Sequence, residues 1–347
     1  MQFQLDDSTI ATNNESFLQI DKMDNLMALV MTFVRECCYS NDTMQWKKSK
    51  ALFQELISIF EKVILKAQES SHVQFILFYI SGLDKNLSND FVGACWMMFE
   101  NPSNSLVTRQ GACSYLGSYL ARARIVDKET ISHQMKHMSE WLHRYLKLQD
   151  GSNIQADFHK HGAFYSLSQT FFYVFVYHHK AFVESEKGIS YLKSLDLPRI
   201  VLSKLNPLRF CLKTIVDMFA RITRMYELVF CYSTIEKNNR QKIFSQLEQN
   251  DRKAKFVEHF FPFDPYILPR SSVFIKPLYN EWNDLNEMTS EEEHEEEEVL
   301  RDDMEDIDHM FASINPHLTM GKLSTSRKSA SHSFDMVCIS PGFMNYN

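Results

Sequence analysis

Six histidines fall in three close pairs, and a metal site is the first chemistry such pairs could support. His133 and His137 stand at i and i+4, where two imidazoles share one face of a helix; His159 with His161 and His178 with His179 follow. A zinc hydrolase of the HExxH type needs glutamate directly after the first histidine, but the residue here is Gln134. The general base is missing and no complete ligand set is spaced around the pair, so core or surface histidines are the better reading. The cysteines (Cys37, Cys38, Cys95, Cys113, Cys211, Cys231, Cys338) lack CxxC spacing, and Cys37–Cys38 has no identifiable activating partner. No phosphate-cradling GxxxxGK[ST], no GxGxxG after a strand and no GxSxG elbow occurs. Neither an enzyme nor a cofactor is expected.

Charge is the more informative chemistry. On a helix predicted from Leu208 to Phe230, Arg209, Lys213, Arg221 and Arg224 line one side, interrupted by Asp217. Cys211, Leu212, Ile215, Phe219, Ile222 and Tyr226 take the opposite side. A solvated outer face and a docking ridge for an acidic partner both fit this pattern. Leu120-Ala121-Arg122-Ala123-Arg124 closes another helix, with its arginines placed to complement the C-terminal dipole. Both guanidinium groups are expected to reach outward if that helix ends near Ala123. Ser290 before three glutamates and Ser340 before Pro341 match short kinase patterns.

These residues must be positioned, and one stretch announces a positioning device. Phe260 to Ser272 packs three prolines and four aromatics into thirteen residues. Proline fixes φ, removes a donor and disfavours helix in the residue before it. Phe260, Phe261, Phe263, Tyr266 and Ile267 carry too much apolar surface for a solvated loop. A rigid, extended strap over neighbouring helices, spanning 260–282, is predicted, with Phe263 and Tyr266 substantially buried.

The supporting elements are helical. Met23, Leu26, Met27, Val30, Phe33 and Val34 recur at helical spacing from Asp21 onward. Further helices are expected at about Trp46–Lys66, His72–Ile80, Asn86–Phe99, Leu106–Arg124, Lys128–Leu148 and Phe158–Val183. The ridge helix follows, with Pro207 in its first turn. Gly111, Ser114, Ser118 and Ala121 form a small-residue ridge that should be packed inward. Single helical hairpins bury their stripes only by stacking, so the expected fold is all-α, a HEAT-like α-solenoid, with a compact bundle as the alternative. Residues 1–20 are expected to be a flexible lead, 21–286 the solenoid, and 287–347 an acidic and then Ser-rich disordered tail.

Composition bounds the rest. The 347 residues suffice for one large or two ordinary domains. No signal peptide is evident, so the thiols are expected to be reduced in the nucleocytoplasm. The longest apolar block, Phe164 to Tyr177, is too short and too polar to span a bilayer. Net charge is −7, yet residues 287–310 alone hold 13 acids and one base, leaving 36 bases against 31 acids elsewhere. The mildly basic body and acidic segment suggest a charged partner or self-masking of the body by the tail. Nucleic-acid binding is expected to be weak or indirect at most.

The run FFPFDPYILPRSSVFIKPLYNEW (Phe260 to Trp282) resembles the signature of the RNA polymerase I-specific transcription initiation factor (TIF-IA) family. SHVQFILFYI (Ser71 to Ile80), RQGACSYLGSYLARAR (Arg109 to Arg124), LSKLNPLRFCL (Leu202 to Leu212) and LVFCYSTIEKNNRQ (Leu228 to Gln241) match in order. The resemblance implies a helical-repeat fold and a non-enzymatic bridge between RNA polymerase I and the TBP-containing promoter selectivity factor at ribosomal RNA genes. It also implies residence in the nucleus and nucleolus, and it leaves a homo-oligomer open. Pro262, Phe263, Asp264, Pro265, Tyr266 and Arg270 correspond to the signature. Leu120, Arg122 and Arg124 match a LARAK-type motif linked there to selectivity-factor contact, with Arg124 in place of lysine. The chain is expected to match the C-terminal portion of the family's length, as a fragment, a short isoform or a degenerate copy. A free-standing solenoid adaptor without transcription activity is the competing expectation.

Overall fold

Long runs free of glycine and proline become helices, and the helices stop where side chains or proline intercept the backbone. The computed structural model describes residues 7–67, 71–149, 155–247 and 261–281. The chain divides into two compact units. Met1–Ala94, Arg122–Ile125 and Tyr266–Asn280 make the first, and Cys95–Ala121, Val126–Pro265 and Glu281–Asn347 the second.

In the first unit, α1 (Asp7–Cys38), α2 (Trp46–Lys62) and α3 (Phe75–Gly82) pack on one another. Helix α4 (Lys85–Glu100) adds its residues up to Ala94, with the Phe91 ring 5.7 Å from that of Phe60. Residues 7–20, read as a flexible lead, already belong to α1. No glycine or proline falls in Asp7–Cys38. Extending a helix also costs far less than nucleating one, so Asn13 and Asn14 do not stop it. The expected stripe on α1 splits in two. Asp24, Met27, Met31, Val34 and Cys38 are buried, whereas Leu18, Leu26, Leu29 and Phe33 are each more than half exposed. Between α1 and α2 a two-residue hairpin pairs β1 (Tyr39–Ser40) with β2 (Thr43–Met44). Its turn residues Asn41 and Asp42 take φ of 49° and 57°, a conformation their short polar side chains tolerate. Four strand residues are too few to show as alternation, which is why the sequence reading missed them.

The second unit is built around one helix. After α5 (Leu106–Arg122) and α6 (Lys128–Leu148), α7 (Phe158–Val183) is buried without interruption from His161 to Val176. Around it lie α8 (Glu186–Ser194), α9 (Leu197–Val201), α10 (Lys213–Met225) and α11 (Tyr232–Leu247). Side-chain caps start three of these helices: Asp127 accepts from the Thr130 N–H, Asp157 from His159 and Ser185 from Gly188. A Cβ on Gly188 would lie 1.9 Å from the Phe182 carbonyl oxygen, so only glycine fits there. The small-residue ridge of α5 is rotated from its expected position. Ser118 and Ala121 are fully buried but Gly111 and Ser114 only half so. The helix comes close to α7 at Gly117, whose Cβ would lie 3.0 Å from Thr170, while Thr170 donates to the Cys113 carbonyl.

The helix predicted from Leu208 to Phe230 is broken at both ends. Pro207–Arg209 form a single 3-10 turn entered through Asn206 at φ 48°, and the Leu212 N–H is taken by the Gln169 side chain at 2.8 Å. Helix α10 therefore starts only at Lys213. It ends in a Schellman motif: Leu228 N–H donates to Thr223 and Glu227 N–H to Arg224, with Glu227 at φ 50° where glycine is usual. The acidic and Ser-rich stretch 287–347, with Ser290 and Ser340, lies outside the described residues. Among the described residues no helix is long and apolar enough to cross a membrane.

Candidate partner interface

The arginine motif turns inward. Leu120 is fully buried, and its carbonyl accepts from His178 Nε2 at 3.0 Å. Arg122 is also 0% exposed; its Nη1 donates to the Asn280 carbonyl at 3.3 Å and its guanidinium lies 5.5 Å from the Tyr279 ring centre. Arg124 is exposed but engaged, donating to the carbonyls of Pro277 and Tyr279 at 3.1 Å each. The backbone explains why. Helix α5 stops at Arg122 because Ala123 pairs antiparallel with Tyr279; Arg124 N–H donates to Leu278 and Asn280 N–H to Arg122. The outward-facing arginine pair expected from the sequence is corrected: Leu120 and Arg122 are interior groups. A guanidinium is well suited to this task, because its fixed fork of donors can hold carbonyls that a short irregular segment leaves unmatched.

The segment these arginines hold is the strap, and it is less extended than predicted. Residues Ser272–Ile275 form α12 and Lys276–Leu278 a 3-10 turn with Pro277 near its start. In the second unit Pro262 is buried and Phe263 is 0% exposed, its ring 5.6 Å from Tyr115 and 6.0 Å from Tyr119. The Phe263 N–H donates to Ser118 Oγ at 3.0 Å, and Phe261 stacks on Tyr173 at 4.6 Å. Asp264 and Pro265 are half-buried. In the first unit Tyr266 is half-buried, with its ring 4.5 Å from Phe75 and its hydroxyl 2.6 Å from Ser271 Oγ.

Asp24 completes the clasp, and the sequence reading missed it. Its carboxylate accepts from the N–H groups of Arg270 (2.7 Å) and Ser271 (2.8 Å) and from Ser271 Oγ (2.5 Å). The Arg270 side chain reaches Asp21 at 2.8 Å and Asn25 at 2.5 Å. Burial opposes the charge on Asp24, but the bonds from Ser271 and Arg270 outweigh it and hold the pKa below the usual carboxylate value. A signal was present: Asp24 lies in register with Met27, Met31 and Val34, an acid inside a buried stripe.

The basic ridge is the surface that remains. On α10, Ile215, Phe219 and Ile222 are buried, and Phe219 packs on Phe172 and Phe175 of α7 at 4.3 and 5.1 Å. That packing fixes the rotation of the helix and turns Lys213 and Arg224, both exposed, and half-buried Arg221 to the other side. Asp217 stands between them; burial raises its pKa while Lys213 and Arg221 work against the rise. Arg209 is exposed but belongs to the preceding 3-10 turn, its guanidinium 5.6 Å from the Phe210 ring centre. Arg224 is likewise 5.7 Å from Tyr232. The histidine pairs are scattered. The His137 ring lies tilted against Trp96 at 4.3 Å, His161 meets Tyr145, and burial lowers His178 and His179 to about 4. Among the described residues, no three metal-ligating side chains cluster.

A sequence profile for the family described as RNA polymerase I specific transcription initiation factor RRN3 matches residues 4–287. The chain belongs to the RNA polymerase I-specific transcription initiation factor family. It is 36% identical over 297 residues to the RRN3 initiation factor of Mus musculus, covering 83% of this chain and 45% of that protein. The Schizosaccharomyces pombe rrn3 factor is 32% identical over 253 residues, 71% of this chain and 41% of the relative. The chain thus spans under half the length of these relatives. The crystal structure of RNA polymerase I transcription initiation factor Rrn3 superposes with a TM-score of 0.67 at 26% identity, over 78% of this chain and 58% of that one. The all-α, HEAT-like helical-repeat fold read from the sequence stands. The RRN3 family is one of initiation factors and not of enzymes.

Proposed function

We propose that this chain acts as an RNA polymerase I-specific initiation factor, binding the polymerase and bridging it to the TBP-containing promoter selectivity factor at ribosomal RNA gene promoters. The observation that carries this reading is family membership over residues 4–287. The work is done by surface and not by chemistry: Lys213, Arg221 and Arg224, with Arg209 beside them, offer a row of donors for carboxylates of a partner. Arg124 contributes at most its exposed edge, since its donors already serve the strap. Charged rows of this kind speed encounter and set register more than they add affinity. Action in the nucleolus, and the start of pre-rRNA synthesis, belong to this proposal. The test is capture from nuclear extract by the tagged chain, probed for polymerase I and selectivity-factor subunits. Both are expected, with Lys213→Glu plus Arg224→Glu reducing capture of at least one. Capture of neither sinks the reading.

A second reading is an adaptor of the same fold that binds without starting transcription, and the makeup of the candidate surface, a row of cations with no cluster of metal-ligating side chains among the described residues, suits binding in either case. Promoter-dependent transcription in extract depleted of the endogenous factor separates the two. Restoration by this chain supports the first reading; polymerase capture without restoration supports the second.

A further inference from the structure

The Schellman turn at Glu227 places Leu228 and Val229, both buried, and exposed Phe230 beside the last turn of α10. Together with Thr223, Arg224 and Glu227 they line a groove of about 280 Å³. Phe230, which lines this groove, is 59% exposed. The ridge from Lys213 to Arg224 extends roughly 16 Å at 1.5 Å per residue, and Arg224 belongs to both ridge and groove. The surface therefore asks for a ligand that is acidic along its length and apolar at one end.

The chain carries such a segment. Residues Glu291 to Glu298 are acidic at every position except His294, and Val299-Leu300 follow directly. We infer that residues 291–300 of this chain dock on the α10 ridge, with the glutamates along Lys213, Arg221 and Arg224 and Val299-Leu300 in the groove beside Phe230. The inference rests on the ridge being the docking surface proposed above, and it adds self-occupancy as a control: an external acidic partner must displace the tail. The segment is tethered close by in sequence: from Glu281 only ten residues lead to Glu291, a reach of about 35 Å when extended. A short flexible linker gives a millimolar effective concentration where it spans the two sites, enough for weak, salt-screened pairs.

Zero-length carbodiimide coupling on the full chain, with ¹⁵N-labelled and unlabelled chains mixed, tests this by peptide mass spectrometry. Lys213 should couple to a carboxylate within 291–298 of the same chain several-fold more often than exposed Lys187 does. That yield should fall several-fold in 0.5 M salt, in Arg224→Glu, and in Val299→Asp with Leu300→Asp, a change that leaves the body untouched. Equal yields at Lys213 and Lys187, or yields indifferent to salt and to both variants, overturn the inference. Coupling only between differently labelled chains assigns the ridge to a second copy and overturns it as well. No polymerase is needed, so a negative result here leaves the partner reading standing, and failed capture from extract leaves the tail contact standing.

Discussion

The two ends of the strap share rings and hydrogen bonds but weight them differently. Phe261 to Pro265 is anchored by rings, with Phe263 enclosed by Tyr115 and Tyr119 and Phe261 laid on Tyr173. Tyr266 to Asn280 is anchored by directional bonds to Asp24, Arg122 and Arg124. Apolar burial is non-directional and indifferent to salt. A buried polar clasp is nearly neutral while complete and costly once one partner is removed. One segment thus combines an anchor that tolerates small shifts with a clasp that enforces one register.

Truncation at the apolar end should cost most. Phe263→Ala is expected to destabilise by about 3–5 kcal/mol, read as a lower urea midpoint with unchanged slope; an unchanged midpoint would mean the ring anchors nothing. At the clasp, Arg122→Ala should cost about 2–4 kcal/mol, because the Asn280 carbonyl loses a buried charged donor. An Arg122 that reached outward, as the sequence suggested, would cost far less. A wild-type melting temperature for Arg122→Ala would restore that outward placement.

Asp24→Ala should follow at about 1–3 kcal/mol, from three donors left without an acceptor. Here pH sharpens the comparison. The folded pKa of Asp24 is lowered, so its contribution is present above the unfolded value of about 3.9 and is lost as pH falls through the folded pKa. His179 in the second unit, 2% exposed, is lowered to about 4. Its unfolded form takes up a proton first, so stability falls as pH drops from about 6.5 towards 4. His178, lowered to about 4 by burial as well, acts in the same window, so urea midpoints should decline in two steps, with His178→Gln plus His179→Gln flattening the upper and Asp24→Asn the lower. A single step unaffected by either would remove the distinction. The smallest effect belongs to the ridge: Lys213→Glu with Arg224→Glu should change stability by no more than about 0.5 kcal/mol, checked by the same titration.

Helices whose ends are set locally were legible in the sequence. Lys128–Leu148 and Phe158–Val183 fall where predicted, because Asp127 and Asp157 cap them from the adjacent position. The burial of Phe263 was legible too, from proline and aromatic crowding alone. What escaped is set at long range. The break before Lys213 depends on Gln169, 43 residues away, and the burial of Arg122 on Asn280, 158 residues away. The face of α10 was readable from its period, but Arg209 was placed on it only by overlooking that break. Asp24 shows the remaining limit: an acid in an apolar stripe signals a partner without saying which one.

The two-faced character of α1 has a practical side at the bench. Leu18, Leu26, Leu29 and Phe33 present an aliphatic and aromatic strip to water opposite the packed residues Met27, Met31 and Val34. In ammonium sulfate, which strengthens the withdrawal of apolar surface from water, this helix should govern how strongly the protein is retained on a phenyl resin. Leu26→Gln with Leu29→Gln should elute markedly earlier at an unchanged melting temperature, because neither side chain contributes to the interior. The same strip would set the concentration at which purified material begins to turn cloudy.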